Sequence, residues 1–309
     1  MAIKLGAYFP LREVGLDFTR VPWYLKATED AGFNHVRFGV HDIGAGVDNR
    51  PNWEGIYDSN MPWHEPFVLF GWMSNFTEKL EFATGTLTLP QRQTALVAKQ
   101  AAQVDHFMNG RFRLGVAVGW NSVEFEALGM DFANRGDRIE EQIEVLRLLW
   151  TRPLVDFTGK YHTLKNVGIN PLPLQRPIPI WIGGGPGSPK PVGTTAPPSS
   201  DRVMRRIARL ADGWLVGPAF EPDEQGHQII QQLQKYILDV GRQVTDVGIE
   251  GSIILHKAPT AAHWKDLAIR WKGLGCTHLA FNTIKAGLKT FEEHVAKLRE
   301  FRDAVGHIL

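Results

Sequence analysis

The sequence has little of several features that mark whole classes of proteins. Its single cysteine, Cys276, excludes an internal disulfide and indicates a reducing compartment. The formal net charge of +1 gives no electrostatic basis for binding nucleic acid or an anionic membrane surface. No apolar run reaches the roughly 20 residues of a membrane span, and the first apolar run is too short for a signal peptide. We therefore expect a cytoplasmic protein whose partners are small molecules.

The signature motifs of several enzyme classes are also missing. The chain has no Gly-x-Ser-x-Gly nucleophile elbow, no His-Glu-x-x-His zinc motif and no Walker loop. No Gly-x-Gly-x-x-Gly follows the first predicted strand, so the usual marker of an open dinucleotide-binding sheet is absent. His64-Glu65 has no second histidine four residues on, and we expect no metal site.

Short apolar runs alternate with longer amphipathic segments along the chain. The runs predict eight strands, at 3–9, 35–39, 80–87, 112–118, 178–183, 213–216, 248–255 and 277–281. Helical patterns follow them, at 23–31, 65–77, 95–106, 137–150, 201–211, 223–240, 262–273 and 291–305. Eight strand-helix units predict one α/β domain over residues 1–309, a (β/α)8 TIM barrel, in preference to an open doubly wound sheet.

Three connections, after the second, fourth and fifth strands, are longer than a barrel requires. The connection at 42–63 holds Trp53 and Trp63, and we interpret it as a wall of the substrate site. The insertion at 152–177 indicates a short hairpin through VDFTGKYHTL. The connection at 183–200 is rich in glycine and proline, and both a lid and a disordered loop remain open.

Two predicted strand ends carry residues that can act on a ligand, because active sites of TIM barrels lie at the carboxyl ends of the strands. His41 follows the second strand, where an imidazole can donate a hydrogen bond or transfer a proton. Gly183, Gly184 and Gly185 follow the fifth strand, and a helix begins downstream near Ser200. Free N–H groups at such a turn and helix start suit a phosphate. An ordinary glycine-rich turn with an N-cap explains the same residues.

Small residues mark two further strand ends. The third strand ends in Thr-Gly-Thr-Leu at 84–87, and the fourth ends in Gly-Trp-Asn at 119–121. Such residues allow a planar ligand to lie close to the backbone. A tight turn that binds no ligand is the alternative for both.

Taken together, the motifs resemble the bacterial luciferase-like oxidoreductase superfamily. The relevant segments are LPQRQTALVAKQAAQVDHFMNGRFRLGVAVGWNSVEFEALGMDFANRGDRIEEQIEVLRLLW, PLPLQRPIPIWIGGG and RIARLADGW. The resemblance covers nearly the whole chain. It is closest to the branch that uses the deazaflavin coenzyme F420.

The resemblance implies a barrel with an isoalloxazine-like ring across its C-terminal mouth. It places a non-prolyl cis peptide behind the ring at residues 85–86, and it matches His41 to an active-site histidine. The cofactor-binding positions that it implies are Gly85, Thr86, Gly119, Trp120, Asn121, Gly183, Gly184, Gly185 and Ser200.

The chain departs from its relatives at two places. Many relatives have an acidic residue immediately before the histidine, whereas this chain has Val40 there and Asp42 on the other side. A shift of one place along a strand end reverses the direction of a side chain. The proline-rich segment at 186–198 is also longer than the usual connection from glycines to helix.

The function implied is that of a flavin- or deazaflavin-dependent oxidoreductase, in which a hydride passes between the reduced cofactor and a small apolar or aromatic substrate. His41 is the candidate proton donor or acceptor, and Trp53 and Trp63 are candidate substrate contacts. Two alternatives stay open: a two-component monooxygenase that uses O2 and reduced FMN from a separate reductase, and a catalytically silent flavin-binding protein. The resemblance also implies a homodimer.

Overall fold

The structure is a computed structural model that describes residues 2–14, 17–50, 53, 55–189 and 200–309. Its strands are β1 Lys4–Tyr8, β2 His35–Phe38, β3 Glu81–Thr84, β4 Leu87–Thr88, β5 Phe112–Ala117, β6 Val155–Thr158, β7 Thr163–Val167, β8 Ile180–Gly183, β9 Gly213–Leu215, β10 Gly248–Ile254 and β11 His278–Asn282. Its α-helices are α1 Val21–Asp30, α2 Pro66–Met73, α3 Thr94–Phe107, α4 Ser122–Ala127, α5 Arg135–Thr151, α6 Ser200–Leu210, α7 Glu224–Asp239, α8 Ala261–Gly273 and α9 Phe291–Val305.

Eight parallel strands close into a barrel. Around the barrel they follow the order β1, β2, β3, β5, β8, β9, β10 and β11, and β11 pairs with β1. The pairing of β3 with β5, at Phe82 and Phe112, completes the closure. The predicted (β/α)8 TIM barrel is therefore confirmed. Within the described residues, no helix is both long and apolar enough to cross a membrane.

The third predicted strand, at 80–87, is wrong as one continuous element. β3 ends at Thr84, and β4 begins at Leu87 and pairs with β5 instead of continuing beside β2. Between them lies the cis peptide Gly85-Thr86, at the position that the family resemblance implied. An apolar run does not report such a break, because both strand pieces are buried.

The insertions follow the sequence pattern where the structure describes them. β6 and β7 form the antiparallel hairpin predicted within 152–177, with Val155 opposite Val167. The helix α4 was not among the predicted elements, because six residues give too few turns for a periodic pattern. Residues 190–199 of the proposed lid lie outside the described part of the chain.

The interior of the barrel contains charged side chains. Glu250 of β10 is fully buried, with Arg113 Nη1 at 2.8 Å, Arg37 Nη1 at 3.3 Å and His35 Nε2 at 3.5 Å from its carboxylate. Burial acts to raise the pKa of Glu250, but Arg113, His35 and Arg37 together hold that pKa well below the usual value. A carboxylate can be buried here because three basic side chains surround it.

This charged group supports the mouth of the barrel from below. The Arg37 guanidinium lies 4.8 Å over the Tyr8 ring, at the carboxyl end of β1. A Cβ atom at Gly85 would lie 2.3 Å from Arg37 Nε, so the backbone at the end of β3 rests directly on the arginine. The position of Arg37 therefore helps to fix the backbone at the end of β3, at the mouth of the barrel.

We expect Glu250→Gln to lower the free energy of unfolding at pH 7 by about 3–5 kcal/mol, because it removes the carboxylate paired with the buried Arg37 and one of the two carboxylates paired with the buried Arg113. Because the folded-state pKa of Glu250 is depressed, its contribution is complete above the unfolded-state pKa of about 4.3 and is lost as the pH falls through the folded-state pKa. Urea unfolding measures the loss.

Glu81→Gln is the matched control. Glu81 also bonds Arg113, at 2.5 Å, but its side chain is 26% exposed whereas that of Glu250 is 0% exposed. Glu81→Gln should lower the free energy of unfolding by about 1 kcal/mol or less. Equal losses in the two variants would contradict a special role for the buried carboxylate.

Candidate active site at the barrel mouth

A histidine and a buried carboxylate meet at the mouth. His41 follows β2, and Glu124 lies on the first turn of α4, after β5. His41 Nδ1 is 3.4 Å from Glu124 Oε1, which also accepts a hydrogen bond from the Asp42 N–H at 3.3 Å. Glu124 Oε2 accepts from Gln91 Nε2 at 3.2 Å. Segments distant in sequence thus converge on one carboxylate.

The surroundings of Glu124 favour its ionised form. Burial acts to raise its pKa, but the neighbouring imidazole of His41, with Tyr57 and Gln91, lowers the pKa below the usual value. Because Nδ1 of His41 faces this carboxylate, Nε2 is the ring nitrogen available to a ligand. The pair can therefore hold a proton and exchange it with a group bound in the mouth.

The Gly-Trp-Asn motif sets the position of Glu124. Gly119 has a φ of +81°, which allows the chain to turn sharply at the end of β5. Asn121 then caps α4, with its Oδ1 accepting from the Val123 N–H at 3.1 Å. Three residues after the cap, Glu124 returns to the mouth beside His41.

Aromatic rings surround His41. The ring centroid of Tyr57 lies 3.6 Å from that of His41, and those of Trp63 and Trp120 lie at 4.6 and 6.1 Å. Trp53 is placed differently, because its Nε1 donates to the Tyr57 carbonyl at 3.1 Å. Of the two tryptophans predicted to contact substrate, Trp63 packs on His41, whereas Trp53 is hydrogen-bonded to the backbone of its own loop at Tyr57.

The small residues of neighbouring strand ends also come together. A Cβ atom at Gly183 would lie 2.6 Å from Thr86 Cγ2, and one at Gly119 would lie 2.5 Å from Thr88 Cγ2. The ends of β4, β5 and β8 are therefore packed with no room for larger residues at the glycine positions. They form a closely packed side of the mouth, next to Gly85.

A family model described as luciferase-like monooxygenase matches residues 10–306. The chain belongs to this family. An uncharacterized protein of Mycobacterium tuberculosis is 33% identical over 222 residues, which cover 70% of this chain and 71% of that protein. Pyrimidine monooxygenase RutA of Klebsiella pneumoniae is 31% identical over 265 residues, which cover 78% of this chain and 66% of RutA. This luciferase-like protein is accordingly an enzyme.

Solved structures have the same fold. An F420-dependent secondary alcohol dehydrogenase in complex with an F420-acetone adduct has a TM-score of 0.74 and 16% identity, with 99% of each chain covered. Monooxygenase RslO1 from Streptomyces bottropensis has a TM-score of 0.73 and 17% identity, with 99% of this chain and 100% of that chain covered. At these identities the likeness establishes the fold alone.

In this luciferase-like enzyme, the acidic neighbour of His41 in sequence serves another contact. The Asp42 carboxylate pairs closely with Arg92, which also bonds Glu65 at 2.7 Å. Val40, on the other side of His41 in the sequence, is buried. Glu124 takes the place beside the imidazole, although sequence reasoning did not select it. The spacing Asn-Ser-Val-Glu at 121–124 is also close to that of a helix capping box, so the sequence alone does not separate a site residue from a structural one.

The predicted phosphate site of the luciferase-like enzyme is described only in part. Gly184 and Gly185 have φ values of +140° and +81°, and the Gly184 carbonyl accepts from Trp214 Nε1 at 2.9 Å. A Cβ atom at Gly185 would lie 3.1 Å from Met204 Sδ, so packing on α6 already requires a small residue. Ser200 begins α6, and its side chain lies outside the described part. Phosphate binding there remains a prediction.

We expect Gly119→Ala to destabilise the enzyme more than Gly129→Ala does. Both glycines have positive φ, which costs alanine about 1–2 kcal/mol. A Cβ atom at Gly119 would also lie 2.5 Å from Thr88 Cγ2 and 2.9 Å from Phe125 Cε2, whereas a Cβ atom at Gly129 would have no heavy atom of the described residues within 4 Å. Overpacking should add about 1–3 kcal/mol at Gly119. Urea unfolding of both variants measures the difference, and equal losses would refute the close packing described here.

Proposed function

We propose that the enzyme transfers a hydride between a reduced cofactor, the deazaflavin coenzyme F420, and a small apolar or aromatic substrate. The observation that carries this proposal is the His41–Glu124 pair at the mouth. Hydride transfer to a carbonyl carbon, or from an alcohol carbon, requires a proton to move at the substrate oxygen. A histidine backed by an ionised carboxylate is suited to that step.

The mouth fits a flat ring of the flavin type. Gly85, Thr86, Gly119 and Gly183 carry little or no side chain, which lets a planar group approach the backbone. Trp63 Nε1 is buried and has no hydrogen-bond partner in the part of the chain that the structure describes. Such a donor is costly to bury unless a ligand meets it. These features support a cofactor ring lying over the glycine and threonine positions.

The cofactor, when bound, supplies the hydride chemistry. His41 Nε2 gives the substrate oxygen its proton, or receives it in the reverse direction, and Glu124 stabilises the charged imidazole through Nδ1. Trp63 and Trp120 exclude water and contact the apolar part of the substrate. Trp120 and Asn121 would help to hold the ring, and Gly183 to Gly185 with Ser200 would hold the phosphate at the start of α6.

A second candidate function is that of a two-component FMN-dependent monooxygenase that uses O2 and a separate reductase. The 31% identity to a pyrimidine monooxygenase favours it. In this case the His41–Glu124 pair would serve oxygen chemistry, and the aromatic groups around it would again exclude water. The two candidates differ in cofactor and in their need for oxygen.

Anaerobic titration of the purified enzyme with F420 and with FMN, each oxidised and reduced, separates the candidates. We expect F420 to bind at least about tenfold more tightly, which is 1.4 kcal/mol of binding free energy. Fluorescence of the cofactor and of the tryptophans reports binding. Tighter binding of reduced FMN would transfer the assignment to the monooxygenase, and binding of neither cofactor would refute both.

The His41→Asn variant serves as the control for chemistry. It should bind the cofactor within about twofold of the native affinity. It should oxidise the reduced cofactor about 10²- to 10⁴-fold more slowly with a panel of small apolar and aromatic carbonyl compounds. An unchanged rate would remove His41 from the proposed mechanism.

We also propose that the enzyme is a homodimer that uses the outer face of α2 and α3. Val68 on α2 is 73% exposed and Leu96 on α3 is 54% exposed, with Trp72 and Phe107 also exposed on the same two helices. The helices are adjacent, since a Cβ atom at Gly71 would lie 3.7 Å from the Phe107 ring. Exposed apolar groups on neighbouring helices are typical of a protein interface.

We expect the double variant Val68→Glu, Leu96→Glu to sediment as a monomer and the native enzyme as a dimer, because two carboxylates per subunit would have to be buried at the interface. Sedimentation velocity measures the change. Leu238→Glu on α7, at a residue 60% exposed, is the matched control and should remain a dimer. A dimeric double variant would exclude this face.

A further inference from the structure

Tyr57 is unusual in the connection at 42–63. Its neighbour Ile56 is 53% exposed, yet Tyr57, which has a polar hydroxyl, is 1% exposed. A loop that only needed an apolar anchor would bury the isoleucine. The burial of the tyrosine therefore indicates that its hydroxyl has specific partners inside.

The first partner of the hydroxyl is Asn121. Asn121 Nδ2 lies 3.0 Å from the Tyr57 oxygen. The orientation of this amide is determined by its other contact, since Oδ1 accepts from the Val123 N–H at the start of α4. An amide nitrogen only donates, so the Tyr57 oxygen accepts here. The phenolic proton is left for another acceptor.

The carboxylate in this cluster of residues is that of Glu124, which lies beside His41 and three residues after Asn121. The other donors to Glu124 are held at long distances for a carboxylate, with the Asp42 N–H at 3.3 Å, Gln91 Nε2 at 3.2 Å and His41 Nδ1 at 3.4 Å. The Asp42 carboxylate is also near, but it is paired with Arg92. A buried carboxylate with these partners still has room for a strong donor.

The Tyr57 ring has a second contact. It lies against the His41 ring, tilted by 34° with the ring centroids 3.6 Å apart. The Trp120 ring packs nearly perpendicular to the Tyr57 ring, with the ring centroids 5.2 Å apart. One face of the imidazole is therefore covered by Tyr57.

We propose that Tyr57 is a positioning residue of the His41–Glu124 pair: its ring holds the imidazole, and its hydroxyl donates to Glu124 and keeps that carboxylate directed at His41. The inference rests on the proposed role of this pair in proton transfer. Tyr57 would then give the connection that contains it a role in proton transfer as well as in lining the substrate site.

The ionisation of the two groups agrees with this arrangement. Burial raises the pKa of Tyr57, and the charge of Glu124 raises it further, so the phenol keeps its proton. Hydrogen bonding by Tyr57 is among the effects that lower the pKa of Glu124 against the opposing effect of burial. The hydroxyl is thus a donor to a charged acceptor.

The test is the titration of Glu124 in the enzyme without cofactor, by NMR of protein labelled with 13C at the glutamate carboxyl groups. The Glu124 resonance is the one lost in Glu124→Gln. In Tyr57→Phe, which keeps the ring and removes the hydroxyl, we expect the titration midpoint to rise by about one pH unit. The rise follows because the charged form of Glu124 loses a donor.

Trp53→Phe is the matched control. It removes the hydrogen bond from Trp53 Nε1 to the Tyr57 carbonyl, and so weakens the same loop without changing the donors to Glu124. Its midpoint should stay at the native value. An unchanged midpoint in Tyr57→Phe, or an equal rise in Trp53→Phe, would overturn the proposal.

If Tyr57→Phe does not fold, Asn121→Ser replaces it. Serine retains an oxygen for the N-cap of α4 but removes the amide donor that orients the Tyr57 hydroxyl. A raised Glu124 midpoint supports the proposal, and a native midpoint overturns it. Because no cofactor or substrate is added, the Glu124 titration tests this proposal whether or not the enzyme binds F420 or FMN.

Discussion

The buried carboxylate of Glu250 must be neutralised inside the barrel, and much of the structure above it follows from how this is done. TIM-barrel interiors are usually filled by branched apolar side chains, whereas here Arg37, Arg113 and His35 meet a glutamate across the interior. Arg37 then lies directly under Gly85. The arginine that neutralises Glu250 inside the barrel thereby also positions the backbone at the barrel mouth.

Above this base, each chemical group of the site comes from a different connection. His41 follows β2, Glu124 lies on the helix after β5, and Tyr57 belongs to the loop at 42–63. None of these has the required surroundings by itself. The imidazole gains a counter-charge, the carboxylate gains donors, and the phenol gains a hydrogen bond from Asn121 only when the connections pack together.

The limits of sequence reasoning appear in particular residues. The buried strands were predictable because parallel strands covered on both faces are continuous apolar runs. The same property hid the break at Gly85-Thr86, which the family resemblance supplied instead. Trp53 and Trp63 looked equivalent in composition, yet one braces Tyr57 and the other packs on His41. The direction of a loop side chain depends on contacts that spacing does not encode.

The sequence by itself determined the barrel and the alternation of its eight parallel strands with helices, and it placed His41 and the small residues at strand ends, because these depend on local periodicity and on motifs. Only the tertiary structure decided which carboxylate serves His41. Asp42 is adjacent in the chain but turns to Arg92, while Glu124, 82 positions beyond Asp42, returns to the mouth. The physical reason is that barrel closure brings the ends of β2 and β5 to one rim, whatever their separation along the chain.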